Sequence, residues 1–286
     1  MSHPLLTALE QAVGGLGAVA LGADSERVFV GYQELELALT WAEVDAAVGG
    51  ARPRAWTRAL GDLVVTQAIA CRSEEAEPAE LRTAVLPVLW SRVHARELVA
   101  RAPEVLTFAW ASELLVTLAH PVAHGRRLLL RYDTPTLGEP PELLRGALAN
   151  LRRRTRSDAV QALDPDEPTL FALDCADGLD SSRLLVLDDL RPDLAPTGVL
   201  AAVPARETLS FVPFTRRGCA HLRELVNLAH NGVASLPFPL TDSLFYVAPH
   251  TALAVPVTRD PAGTPRLSFP AELAQRQADL VAAGAW

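Results

Sequence analysis

The chain contains 286 residues, of which 49% are hydrophobic, and carries a formal net charge of −8. These values exclude a disordered chain, a collagen-like repeat and a disulfide-knotted fold, because apolar residues are plentiful and there are only three cysteines. The sequence contains no lysine, so all 26 basic residues are arginines. A lysine Schiff base and the lysine of a phosphate-binding P-loop are therefore excluded.

The first part of the chain alternates helical and strand patterns. Apolar residues at helical spacing predict a first helix from about Pro4 to Val13. Alternating apolar and polar residues predict a strand from Leu35 to Leu39 with one face in water, and Thr40 follows as a helix cap. The predicted elements here also include a hairpin of 18–21 with 28–32, a helix over 41–48 and a helix over 53–70.

The segment from Arg72 to Glu80 is acidic, contains a proline and has no apolar residue larger than alanine. Such a composition is typical of a linker. We therefore predict two lobes, an N-terminal α+β lobe over residues 1–75 and an α+β region over residues 81–286.

After the linker, strand and helix patterns alternate to the end of the chain. Together they predict an α+β protein with mixed or antiparallel sheets covered by helices. The predicted strands are 81–90, 127–132, 169–173, 199–203 paired with 208–212, and 244–247 paired with 252–257; the predicted helices are 93–100, 105–119, 141–153, 180–190 and 218–230.

Several segments in the later two thirds resemble the YtpQ-like family of bacterial proteins, which has no assigned activity. The segments are LPVLWS at 86–91, RRLLLRYDT at 126–134, ELLRGALANLRRR at 142–154, ADGLDSSRLLVLDDL at 176–190, GVLAAVPARETLSFVP at 198–213 and LPFPLTDSLFYV at 236–247. Their order and spacing agree over about 170 residues. The resemblance implies a fold and a bacterial origin, but it brings no catalytic residues.

Three features bear on location and large partners. The N-terminus lacks a basic region followed by a continuous apolar stretch, so we expect a cytoplasmic protein. Glu113 lies within the weakly charged stretch 105–125, which favours a buried helix over a membrane span. The arginines of 152–156 end a helical pattern without an aromatic residue among them, which favours a solvated helix end over a nucleic-acid site.

No cofactor or metal is expected from the familiar motifs. Residues 15–20 match a GxGxxA pattern, but a helix precedes it and a strand follows, the reverse of a dinucleotide site. The three cysteines lack zinc-ligand spacing. Pro121 separates His120 from His124, so the two imidazoles cannot share the face of one regular helix.

Asp174, Asp177 and Asp180 form an acidic cluster directly after a predicted buried strand. Carboxylates at such a strand end hold Mg²⁺ in metal-assisted hydrolases, which makes these three residues candidate catalytic groups. A turn at Asp177 and a helix cap at Asp180 explain the same residues structurally. The sequence leaves both interpretations open.

Ser182 and Arg183 follow at the start of the next predicted helix, where free N–H groups favour anions. They are candidate ligands of a small anion, although Arg183 is equally suited to an ion pair with Asp177 or Glu207. Cys219 is a further candidate nucleophile, because basic residues surround it in sequence.

None of these constellations has the spacing of an established catalytic motif, so we expect a non-catalytic protein-binding or adaptor protein. The nearly uncharged, proline-rich segment 236–257 is predicted to expose an apolar patch for a protein partner. The alternatives are a metal-assisted hydrolase at the acidic cluster and a small-anion sensor at Ser182 and Arg183. The sequence leaves the oligomeric state open.

Overall fold

The structure, a computed structural model, describes residues 5–73, 78–122, 124–156, 158–175, 177–260 and 264–286. It confirms an α+β protein whose described strand pairs are antiparallel. The helices are α1 Leu6–Gly15, α2 Trp41–Val48, α3 Pro53–Ser73, α4 Pro78–Ala84, α5 Arg92–Arg101, α6 Thr134–Leu137, α7 Pro140–Arg154, α8 Leu187–Leu190, α9 Arg216–Cys219, α10 Leu222–Ser235 and α11 Ala271–Ala282. Short 3-10 helices cover Arg131–Asp133 and Ser181–Val186.

The strands in the described ranges form three sheets. A seven-stranded sheet has the order β1–β2–β3–β7–β6–β4 with β5 beside β6, a six-stranded sheet has the order β13–β12–β10–β11–β9–β8, and β14 pairs with β15. The strands are β1 Val19–Ala23, β2 Arg27–Tyr32, β3 Leu35–Thr40, β4 Leu86–Ser91, β5 Thr107–Trp110, β6 Leu114–Val122, β7 Gly125–Leu128, β8 Val160–Ala162, β9 Phe171–Leu173, β10 Val199–Ala202, β11 Leu209–Pro213, β12 Leu244–Ala248, β13 Thr251–Val255, β14 Val257–Arg259 and β15 Pro265–Leu267.

The chain divides into two compact units that are not continuous in sequence. The first contains residues 1–86, 92–107 and 117–147, and the second contains residues 87–91, 108–116 and 148–286. The predicted lobes 1–75 and 81–286 were continuous segments, and their boundary as folding units stays a prediction. Of the predicted linker, residues 74–77 lie outside the described residues, and Pro78 begins α4.

The core of the first unit lies between helices α1 and α3 and the strands β2 and β3. Leu9 and Val13 of α1, predicted to share an apolar face, are both buried there with Leu60 and Val64 of α3. Thr40 caps α2 as predicted: its hydroxyl accepts from the Glu43 N–H, and the Glu43 carboxylate accepts from the Thr40 N–H. This reciprocal capping box satisfies backbone donors at the helix start.

The prediction that β3 has one wet face is wrong at Glu36. Glu36 is only 5% exposed, and its strand β3 lies between β2 and β7. Arg126 is its partner in the register of β3 and β7, and the two charged groups approach to 3.9 Å. A cross-strand pair of opposite charge thus replaces hydration on this face.

The predicted helix over 105–119 is also wrong, because this segment forms β5, a turn and β6. Short apolar runs fit a buried strand and a buried helix equally well by periodicity, and here pairing with neighbouring strands decides. The predicted strand 81–90 begins as helix α4, and the predicted strand 127–132 ends early in a 3-10 helix. In that helix the Asp133 carboxylate accepts from the Leu130 N–H at 2.7 Å.

The core of the second unit lies between the six-stranded sheet and helices α10 and α11. Leu225 and Val226 of α10 and Leu273 of α11 are buried in one cluster with Val212 of β11 and Tyr246 of β12. The predicted hairpin of β10 and β11 is confirmed, as is the pairing of β12 with β13.

The predicted exposed patch over 236–257 is wrong for β12, whose residues Leu244 to Val247 are buried. Leu244 and Tyr246 pack in one core cluster with residues of α10 and α11, and the Phe245 ring lies 5.3 Å from the Trp110 ring. Leu236 and the outer strand β13 retain exposed or half-exposed side chains. Within the described part of the chain, no helix has the length and apolar character needed to cross a membrane.

We expect Gly125→Ala to destabilise the protein by about 3 kcal/mol or more. Gly125 has a φ of +139°, and a Cβ there would lie 1.9 Å from the Glu36 carbonyl oxygen. The control is Gly146→Ala in α7, where a Cβ meets nothing within 4 Å and better helix propensity adds about 1 kcal/mol. Urea unfolding measures both; similar stabilities of the two variants would contradict the tight approach of β7 to β3.

Candidate functional site

The acidic cluster predicted as a site lies in the loop between β9 and the 3-10 helix Ser181–Val186. Two of its carboxylates shape this loop through short-range hydrogen bonds. The Asp177 carboxylate accepts from the Leu179 N–H at 3.1 Å, and the Asp180 carboxylate accepts from the Cys175 N–H at 3.1 Å. Aspartate side chains commonly stabilise turns in this way.

Arg183 lies at the centre of the cluster. Its Nη1 and Nη2 each donate to one carboxylate oxygen of Asp177, both at 2.8 Å. Nη1 also donates to Asp180 at 3.1 Å, and Nε donates to the Thr155 hydroxyl at 3.0 Å. Of the two ion-pair partners that the sequence left open for Arg183, Asp177 and Glu207, the structure shows Asp177, and Asp180 joins the pair. We call Thr155, Asp177, Asp180 and Arg183 the arginine cluster.

Burial sets the electrostatics of the arginine cluster. The side chains of Arg183 and Asp180 are 0% and 1% exposed, while that of Asp177 is 30% exposed. Burial raises the pKa of Asp180 to about 6, against the attraction of Arg183. Burial opposes the charged form of Arg183, yet its hydrogen bonds and attraction to Asp177 leave its pKa raised, so it stays charged.

The prediction that Asp180 caps a helix is wrong, because its side chain makes no cap hydrogen bond. Its backbone is already helical, with φ −59° and ψ −43°, and its carboxylate turns to Arg183 and the Cys175 N–H. A buried arginine needs a compensating charge more than a short 3-10 helix needs a cap.

The two remaining candidate residues, Asp174 and Ser182, differ in exposure. Asp174 is exposed, whereas Ser182 is buried and its hydroxyl accepts from the Leu89 N–H at 3.3 Å. In the described ranges, no group of three histidine, cysteine or acidic side chains is placed to hold a metal ion. The carboxylates that converge do so on a guanidinium, which favours an internal ion cluster over a binding site for an anion or a metal.

Cys219 does not have the environment of an activated nucleophile. Burial raises the pKa of its thiol to about 11, whereas an activated thiol needs a lowered pKa. The pKa of Cys175 is also raised, chiefly by burial. The basic residues beside Cys219 in sequence, Arg216 and Arg217, lie exposed and do not offset this burial.

The arginines of 152–156 lie at a helix end as predicted, since Arg152, Arg153 and Arg154 occupy the last turn of α7. Arg152 pairs with Asp189 on the surface. Arg153 and Arg154 are exposed, as expected of a solvated helix end.

The sequence did not indicate the contacts of two residues, Thr155 and Arg206. Thr155 belongs to the arginine cluster although 28 positions separate it from Arg183. The buried guanidinium of Arg206 lies between two rings, 4.2 Å from the Trp90 centroid and 4.6 Å from the Phe238 centroid. Such cation–π packing keeps an arginine favourable in the core, and no local spacing predicts it.

No family model, curated protein or solved structure matches the chain. The resemblance to YtpQ-like proteins accordingly stays a prediction, carried by the sequence segments alone.

We expect Arg183→Met to lower the free energy of unfolding by about 3–5 kcal/mol, because it leaves Asp180 buried without its counter-ion. The control is Arg152→Met, which breaks an exposed pair with Asp189 and costs at most about 1 kcal/mol. Adding Asp180→Asn to Arg183→Met should recover part of the loss. Urea unfolding tests all three, and equal costs for the two arginine variants would refute the buried cluster.

The stability advantage of the protein over its Asp180→Asn variant should fall as pH rises from about 4 to about 6. The folded state keeps a proton on Asp180 up to about pH 6, whereas the unfolded carboxyl loses it near 3.8. Ionisation of Asp180 on raising the pH therefore lowers the free energy of unfolding by up to about 3 kcal/mol. Denaturant unfolding at pH 4, 5, 6 and 7 measures this difference. A stability difference that grows with pH would mean that the attraction of Arg183, which lowers the pKa of Asp180, is stronger than the effect of burial, which raises it.

Proposed function

We propose that the protein is a non-catalytic protein-binding or adaptor protein, and that it binds an extended segment of its partner along strand β13. A cytoplasmic location and a relation to YtpQ-like bacterial proteins belong to the same proposal and rest on the sequence. The observation that carries the binding mode is the position of β13 at the end of the six-stranded sheet.

Strand β13 offers backbone groups for a further strand. Across the described ranges it pairs with β12 alone, from Thr251 opposite Ala248 to Val255 opposite Leu244. In an antiparallel sheet, alternate backbone N–H and C=O groups of an edge strand point away from its neighbour. An extended peptide can pair with them, which is the mode called strand addition.

The side chains of β13 do not protect this edge. Its sequence TALAV carries no charge and no proline, although soluble proteins commonly place such residues on exposed edge strands to prevent pairing. Thr251 is exposed and Ala252, Leu253 and Ala254 are half-buried. An incoming strand would therefore gain backbone hydrogen bonds and also cover apolar surface.

The two alternative functions have less support from the geometry. A hydrolase at Asp174, Asp177 and Asp180 would need carboxylates open to a metal or a substrate, but Arg183 engages two of them. A small-anion sensor at Ser182 and Arg183 would need an accessible cation, whereas both side chains are buried. Neither alternative has an observation that favours it over protein binding.

We expect a photo-crosslinking amino acid at Thr251 to capture one defined protein in the cells that produce this chain. The same amino acid at Ala234, an exposed position of α10, should capture none. Ala252→Lys places a charge on the edge and should abolish the crosslink, while Ala234→Lys should leave it unchanged. Mass spectrometry of the products provides the measurement. Capture that is absent at Thr251, or equally strong at Ala234, would refute binding at β13.

A further inference from the structure

A shallow surface depression lies at the end of β11, lined by Thr215, Arg216, Arg217 and Trp286. Hydrogen bonds of the Thr215 hydroxyl and N–H hold its floor in place. The Thr215 hydroxyl accepts from the Gly218 N–H at 3.1 Å, and the Thr215 N–H donates to the Pro213 carbonyl at 2.8 Å. The turn packs so closely on β11 that a Cβ on Gly218 would lie 2.1 Å from the Pro213 carbonyl oxygen. The arginines therefore project from a fixed turn.

The two charged side chains that line the depression are both positive, although the chain as a whole carries a net negative charge. Both arginines are exposed on a protein of net charge −8. Arg216 has neither an ion pair nor a side-chain hydrogen bond within the parts of the chain that the structure describes. Arg217 lies 3.5 Å from Glu167, but both side chains are at least half exposed, so this pair is weak and readily exchanged.

Trp286 adds an apolar wall to the depression. Its ring meets the buried Phe214 ring edge-on, with 4.8 Å between centroids and 70° between planes. This contact fixes the indole from below, while Trp286 itself stays only half-buried. A flat ring of a ligand can stack on an indole held in this way, with little loss of side-chain freedom.

We propose that this depression binds a small molecule that combines phosphate groups with a flat ring, and that nucleoside di- and triphosphates are the class that fits. Guanidinium groups form paired, charge-assisted hydrogen bonds with phosphate oxygens, and two adjacent arginines match a multiply charged phosphate chain. The indole supplies the stacking surface for the base. This site is separate from β13 and does not rest on the proposed partner binding.

The test is calorimetric titration at low salt with three probes: ADP, pyrophosphate and adenosine. We expect ADP to bind at least about tenfold more tightly than pyrophosphate or adenosine, because only ADP uses both the arginines and the indole. Arg216→Gln and Trp286→Leu should each weaken ADP binding by about tenfold or more. Arg223→Gln, an exposed arginine of α10, is the matched control and should bind as the parent does.

Three results would overturn the proposal. They are no ADP binding at concentrations up to about 1 mM, ADP binding that Arg216→Gln leaves unchanged, and equal affinity for ADP and pyrophosphate, which would remove the role of the indole. Thermal melting of every variant verifies folding. If Trp286→Leu melts early, Trp286→Phe replaces it, and ADP should then still bind more tightly than pyrophosphate.

Discussion

The second unit is organised around the charge of Arg183. A guanidinium with no exposed surface must be neutralised and hydrogen-bonded within the protein. Asp177 and Asp180 supply the charge, and Thr155 accepts the remaining Nε–H. These partners come from the end of α7 and from the loop after β9, so this interaction fixes where both segments lie.

The same cluster explains why an acidic loop that looks like a site in sequence is satisfied internally. Its two converging carboxylates, from Asp177 and Asp180, compensate a buried cation and leave little capacity for an external ligand. The groups that we propose for binding lie instead on the surface, along the edge of β13 and at Arg216. The difference between Arg183 and Arg216 is one of burial, since their charge is the same.

Much of the local structure follows from the residues. The capping box at Thr40, helices α3 and α7 and the hairpin of β10 and β11 were predictable, because caps, apolar faces and turns act within a few residues. The segment 105–119 was not, because its apolar run suits a strand as well as a helix. Glu36 was misjudged because a charged residue in an alternating strand normally faces water.

Of the candidate site, the sequence offered Asp177 and Glu207 as ion-pair partners of Arg183, and the structure shows the pair with Asp177, six positions away. The sequence could not predict that the Thr155 hydroxyl accepts a hydrogen bond from Arg183, nor that the Asp180 carboxylate contacts Arg183 instead of capping a helix. Those outcomes depend on which elements pack together, and sequence spacing carries no information about packing between distant segments.

The sequence by itself determined the kinds of chemistry open to the protein. Without lysine, every fixed cation is an arginine, which suits ion pairs and anion binding rather than proton transfer. Only the tertiary structure decided which arginines form buried ion pairs, as Arg183 does, and which stay exposed, as Arg216 does. The physical reason is that burial arises from contacts between residues far apart in the chain. Burial raises the pKa of Asp180, and its absence leaves Arg216 exposed.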